Sequence, residues 1–108
     1  MINVTIYKDS SDNYTGFKLK GHAGFAEAGH DIICAGVSAL VFNTVNSIEE
    51  ITEDHFELQM NEKKGLMELL FTDAISYESQ ILMKSLVIGL NGISEDNGNY
   101  LQIVIKEV

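Results

Sequence analysis

The chain has a single cysteine, Cys34, no proline, and only 7 lysines and arginines against 16 acidic residues. One thiol cannot close an intrachain disulfide, so a reducing compartment, the cytoplasm, is the expected home. Phosphate backbones are gripped by clustered Lys and Arg. Here such residues are scattered apart from Lys63-Lys64, which argues against direct nucleic-acid binding. No uninterrupted apolar run reaches the roughly 18 residues expected of a membrane span. The N-terminal stretch MINVTIYKDSSDNY has neither a basic n-region nor an apolar h-region, so neither secretion nor membrane attachment is expected. No repeat, low-complexity tract or linker divides the 108 residues, which predicts one domain. The formal net charge of −9 fits plain solubility and would also attract a basic partner.

The apolar periodicity predicts seven elements. Residues 2–8 are β-branched and alternate, as in a strand. Residues 9–13 (DSSDN) form a turn cluster. A second strand over 14–23 carries Phe17, Leu19 and Gly21 on one face, with Lys18, Lys20 and His22 on the other. Residues 24–31 lack a period and contain two glycines, as in a loop. From Ile32 the spacing becomes helical: Ile33, Val37, Leu40, Val41, Ile48 and Ile51 predict a helix to about Glu50, with Asp31 as its N-cap. A β-hairpin follows, 55–61 and 66–71. A second helix is expected over 72–96, capped by Thr72 or Asp73. Its stripe of Ile75, Leu82, Leu86 and Ile93 is broadened by Ile81, Ile88 and Leu90, enough apolar surface to suit either the chain's own sheet or a second subunit. The last strand is 100–107. The order β-β-α-β-β-α-β predicts an α+β two-layer sandwich with a mostly antiparallel sheet.

Chemistry concentrates in GHAGFAEAGHDIICAGVSAL, residues 21–40. The predicted helix places Cys34 in its first turn, where free N–H groups and the helix dipole favour a thiolate, the reactive form of the thiol. His22 could act as its base, provided the glycine-bearing loop folds back, because a twelve-residue extended segment would otherwise hold the two far apart. Ser38 lies one turn after Cys34 on the same face, placed to line the site or support an oxyanion. Other readings of the same residues stay open. Cys34 could be a small core residue, His22 and His30 solvent-facing, and Ser38 neutral packing. His22, His30, Asp31 and Cys34 are also zinc-ligand types, but their spacing matches no standard zinc module and no second cysteine is present. His55 is given no role.

This stretch closely resembles the signature of the bacterial ribosomal-processing cysteine proteases, the Prp family. The pattern is Gly-His-Ala, a glycine-rich loop, then Asp-Ile-x-Cys-Ala, a small residue, and a serine four after the cysteine. Gly21, His22, Ala23, Asp31, Ile32, Cys34, Ala35, Gly36 and Ser38 all fit it. The resemblance implies a cysteine endopeptidase with a Cys34–His22 dyad and no metal or cofactor. It implies Gly21, Asp31 and Ser38 as binding or supporting residues. It further implies removal of a short N-terminal extension from a large-subunit ribosomal protein, a homodimer, and a loop at 23–30 that orders around substrate. Two alternatives are a non-catalytic assembly or adaptor module that holds a basic ribosomal protein on the acidic surface, and a thiol hydrolase for a small molecule.

Overall fold

Ile2, Val4 and Ile6 alternate with Asn3, Thr5 and Tyr7, and all three apolar residues are buried. That period of two is what a sheet with one covered face requires. The computed structural model describes residues 1–21 and 30–108, and of His30 and Asp31 the backbone alone. Its elements are β1 (Ile2–Lys8), β2 (Tyr14–Lys20), α1 (His30–Ile51), β3 (Phe56–Asn61), β4 (Leu66–Phe71), α2 (Tyr77–Asp96) and β5 (Leu101–Glu107). The expected order and the two-layer α+β architecture are both found. His22 and residues 23–29 of the expected loop lie outside the described residues, and residue 30, expected in the loop, has helical backbone.

The five strands form one sheet in the order β3-β4-β2-β1-β5. All neighbours are antiparallel except β1 and β5, which run parallel with Ile2 beside Leu101 and Val4 beside Ile103. The register aligns Ile6 with Phe17 and Phe17 with Leu69, so these side chains share one face. Ile33, Val37, Val41, Val45 and Ile48 from α1 join that face in a single core with Met83, Leu86, Val87 and Leu90 from α2. Phe17 at its centre is fully buried. Truncating a buried Phe to Ala typically costs about 3–5 kcal/mol. The opposite face is largely polar and open, and there the Tyr7 hydroxyl donates to Glu68 at 2.9 Å. Burial foremost, and this hydrogen bond, raise the Tyr7 phenol above its ordinary range.

Several boundaries differ from expectation. The β2 strand ends at Lys20, not residue 23, because Gly21 turns out of the strand with φ +121. The helix α1 starts at His30, so Asp31 has helical backbone and is not the N-cap. His and Asp have middling helix propensity and simply extend the periodic segment by two residues. Cys34 is therefore the fifth helical residue, just past the first turn. The cap of α2 is Ser76, not Thr72 or Asp73. Asp54 holds Ser76 at this point by accepting from its N–H and its hydroxyl. Ile51, placed on the helical stripe of α1, is exposed, and of the residues that broaden the α2 stripe Ile81 and Ile88 are exposed while Leu90 is buried. Over Ile32–Ile51, α1 is long and apolar enough to cross a membrane by length and composition, with a mean hydropathy of 1.4. Ser38, Asn43, Asn46 and Glu49 interrupt it, so it is not one uninterrupted apolar run. Here the inner face of those residues forms the core.

Candidate active site

Cys34 and Ser38 sit one turn apart on α1 and face the same way, as residues four apart must. Both are half-buried. Val37 lies between them in the chain and is buried beneath, which fixes how the helix is rolled. The two polar side chains open into a cleft of about 240 Å³ between α1 and the β3–β4 hairpin. Ile2, Leu19, Val37, Phe42, Met60 and Met67 give it an apolar lining. Asn61 and Glu62 stand where β3 enters its turn. The site thus joins one thiol and one hydroxyl to a surface that accepts apolar side chains.

Gly21 also lines this cleft. Its N–H donates to the Gly65 carbonyl at 3.1 Å, which ties the end of β2 to the hairpin turn. A side chain at position 21 would meet the Met1 carbonyl oxygen, and its φ is one that L-residues avoid. Glycine is needed here to let the chain leave the strand at the rim of the cleft. The fold therefore brings Gly21, Cys34 and Ser38 to one place, although Gly21 and Cys34 are thirteen positions apart in sequence. His22 is the residue bonded to Gly21, and the described residues end at Gly21. The Asp31 side chain likewise lies outside what is described. The zinc reading also involved His22 and His30. Among the described residues no group of three or more His, Cys, Asp and Glu side chains could hold a metal.

His55 Nδ1 lies 2.9 Å from Asp73 Oδ2 in an exposed pair away from the cleft. Exposed pairs of this kind contribute little to stability, about 0–1 kcal/mol. Sequence reasoning missed Phe42, Met60, Asn61 and Glu62 as cleft residues. Phe42 carried a usable signal, since it follows Cys34 by eight positions on the same helix face. The hairpin residues carried none, because their approach to α1 depends on β4 pairing with β2.

The family model described as "Cysteine protease Prp" matches residues 1–102. The chain is 31% identical over 107 residues to the ribosomal processing cysteine protease Prp of Bacillus subtilis, covering 95% of this chain and 96% of the relative. It is 29% identical over 106 residues to the protein of the same name from Staphylococcus aureus, covering 98% and 100%. Crystal structures of an essential ribosomal processing protease Prp from S. aureus superpose well. The complex with a substrate peptide gives a TM-score of 0.91 at 28% identity, and the complex with a covalently linked product peptide gives 0.89 at 29%. Each structure covers 98% of this chain and 100% of the other.

Proposed function

The chain belongs to the Prp family of cysteine proteases, and from that premise we propose that it removes the short N-terminal extension of a large-subunit ribosomal protein as the ribosome matures. Cys34 is the nucleophile and His22 its base. The observation that carries this reading is the cleft itself. A half-buried thiol, Cys34, opens into it beside Ser38, and Gly21, the residue before His22, forms part of its rim. Membership of a cysteine protease family weighs against the non-catalytic adaptor.

The steps follow ordinary thiol acyl transfer. His22 accepts the thiol proton, and the Cys34 sulfur attacks the carbonyl carbon of the residue before the cut. Ser38 and N–H groups near the start of α1 support the oxyanion. The C–N bond breaks as His22 returns its proton to the leaving amine. Water, deprotonated by His22, then cleaves the thioester to a carboxylate and a free thiol. Asp31, in the first turn of α1, orients His22. The acidic surface draws in a basic ribosomal protein. The reaction takes place in the cytoplasm, where ribosomal proteins are made. The enzyme acts as a homodimer, a reading supported by Tyr77, Ile81 and Ile88, three exposed apolar residues on α2.

The test is to incubate the host's extended ribosomal protein with the wild-type chain and with Cys34→Ser, and to weigh the products by mass spectrometry. Wild type yields a single N-terminal truncation, and Cys34→Ser leaves the mass intact. Trimming at a normal rate by Cys34→Ser overturns the nucleophile. An intact substrate mass with wild type overturns the activity.

A further inference from the structure

The seven lysines are scattered along the chain but not in space. On each strand the outward positions alternate with the buried ones, so the register fixes which residues share the open face of the sheet. Lys20 stands there beside Asn3 and Leu66, and Lys18 beside Thr5 and Glu68. Lys106 of β5 lies next to Tyr7. The turn between β3 and β4 adds Lys63 and Lys64. This face and its turn thus hold five of the seven lysines but three of the sixteen acidic residues, Glu57, Glu62 and Glu68. The rest of the chain has two lysines against thirteen acidic residues. A chain of net charge −9 therefore carries one face on which positive charge prevails.

Lys20, Lys63, Lys64 and Lys106 are exposed, and Lys18 is half-buried. They form an oblique strip from the hairpin turn across β2 to β5. From β4 to β5 is three strand spacings, about 14 Å. The exposed amides of Asn3, Gln59 and Gln102 stand on the same face, and such groups donate to phosphate oxygens. Glu49, Glu50, Glu78, Glu95 and Asp96 project from the helices on the other side of the sheet. At physiological ionic strength, charges separated by more than ~8 Å are largely screened, so a ligand on the open face meets mainly the lysines. Among the described residues, Tyr7 is the one aromatic at these outward positions, and its hydroxyl is held by Glu68. A face without a stacking platform suits a folded phosphate backbone better than unstacked bases.

We infer that the open face of the sheet docks the phosphate backbone of structured RNA. The choice of RNA rests on the function proposed above, since the protein to be trimmed is a component of the ribosome. The position suits that function. Asn61, Glu62, Gly65 and Leu66, which flank or belong to the lysine-bearing turn, also line the cleft that holds Cys34. RNA on the open face lies beside the mouth of that cleft, so a ribosomal protein already seated on RNA is presented to the thiol. Each lysine neutralises a phosphate and releases a counterion, which makes the interaction weak, independent of sequence and sensitive to salt.

The experiment follows the fluorescence anisotropy of a labelled RNA duplex of about 20 base pairs with the full chain, from about 50 to 200 mM KCl. Wild type binds, and log K falls against log salt with a slope of about −3 to −4, as for four phosphate contacts. The double variant Lys18→Gln/Lys20→Gln makes the slope shallower by about 2 and weakens binding roughly tenfold or more at the lowest salt. Lys64→Gln/Lys106→Gln does the same, and reads the same face if the first pair disturbs the sheet. Lys84→Gln, on the exposed side of α2, binds as wild type does. All three variants cleave a short synthetic peptide spanning the cut at the wild-type rate. The inference is overturned if wild type shows no salt-dependent RNA binding, if both double variants bind as tightly as wild type, or if Lys84→Gln loses as much as they do. It is equally overturned if phosphatidylserine vesicles, or a second copy of the chain detected by sedimentation, depend on these lysine pairs while RNA does not. The proposed protease activity fails differently, through a peptide left uncut by wild type.

Discussion

The two helices begin in opposite ways. At the start of α2 the polar groups are turned on one another. The Ser76 hydroxyl accepts from the Ser79 N–H at 3.2 Å. Asp54 accepts from the Ser76 N–H at 3.0 Å and from the Ser76 and Ser79 hydroxyls. Ser79 is fully buried. At the start of α1 a thiol and, one turn on, a hydroxyl face an apolar cleft. One helix start is closed off by its own neighbours and locks the β3–β4–α2 half of the chain. The other, among the described residues, presents Cys34 and Ser38 to a cleft. A helix terminus can thus serve either stability or chemistry, and the difference lies in what stands opposite it.

The sharpest way to break this contrast is to remove the thiol of Cys34, the proposed nucleophile. Cys34→Ser is expected to abolish trimming of the extended ribosomal protein while the thermal midpoint stays unchanged. A large drop in that midpoint would make Cys34 a structural residue. His22→Ala is expected to slow alkylation of Cys34 by iodoacetamide at pH 7 by roughly tenfold or more, because the thiolate is the reacting species. Wild-type alkylation in that variant would remove His22 from the dyad.

Asp54→Ala probes the other helix start and should give the reverse pattern. Removing a carboxylate that accepts three hydrogen bonds is expected to destabilise by about 1–3 kcal/mol, read from the urea midpoint, with alkylation of Cys34 unchanged. This junction also has a pH signature. Burial acts to raise the Asp54 carboxyl, but hydrogen bonds from Ser79 and then Ser76 prevail and hold it below its ordinary 3.8. A carboxyl depressed in the folded state contributes stability that is present above its unfolded value. That stability is lost as pH falls through the folded value. Acid unfolding of wild type is therefore steeper below about pH 4 than that of Asp54→Asn. Equal slopes would show that Asp54 makes no such contribution. The smallest effect is expected from Ser38→Ala, with kcat reduced less than about tenfold and stability unchanged. A loss of about 10²–10³-fold would instead make Ser38 a principal oxyanion donor.

Much of the fold was legible because its signals are local. The alternation in residues 2–8 and 55–61 located two strands, and the helical spacing from Ile33 to Ile48 located α1. The end points were less legible. Thr72 and Asp73 looked like caps, and Ser76 takes that place because the Asp54 carboxylate, twenty-two positions earlier, holds it. Whether Ile81 and Ile88 meet the chain's own sheet was left open, because a broad apolar helix does not declare which side faces inward; both are exposed in the folded chain. Within the site, the shared helix face of Cys34 and Ser38 followed from their four-residue spacing. Gly21 could be picked out by its place in the motif, but its physical reason, the Met1 carbonyl pressed against it, belongs to the folded chain.

By itself the sequence determined the order of the elements, the single thiol available for covalent chemistry, and the helix face that carries it, since each depends on residues within a turn or two of one another. Tertiary structure alone decided that β5 runs parallel to β1, that β4 lies beside β2, and that Met60 comes to face Phe42 across a cleft. Those arrangements join segments many residues apart. Their register is chosen by the summed burial of the whole core, and no local window of sequence contains that sum.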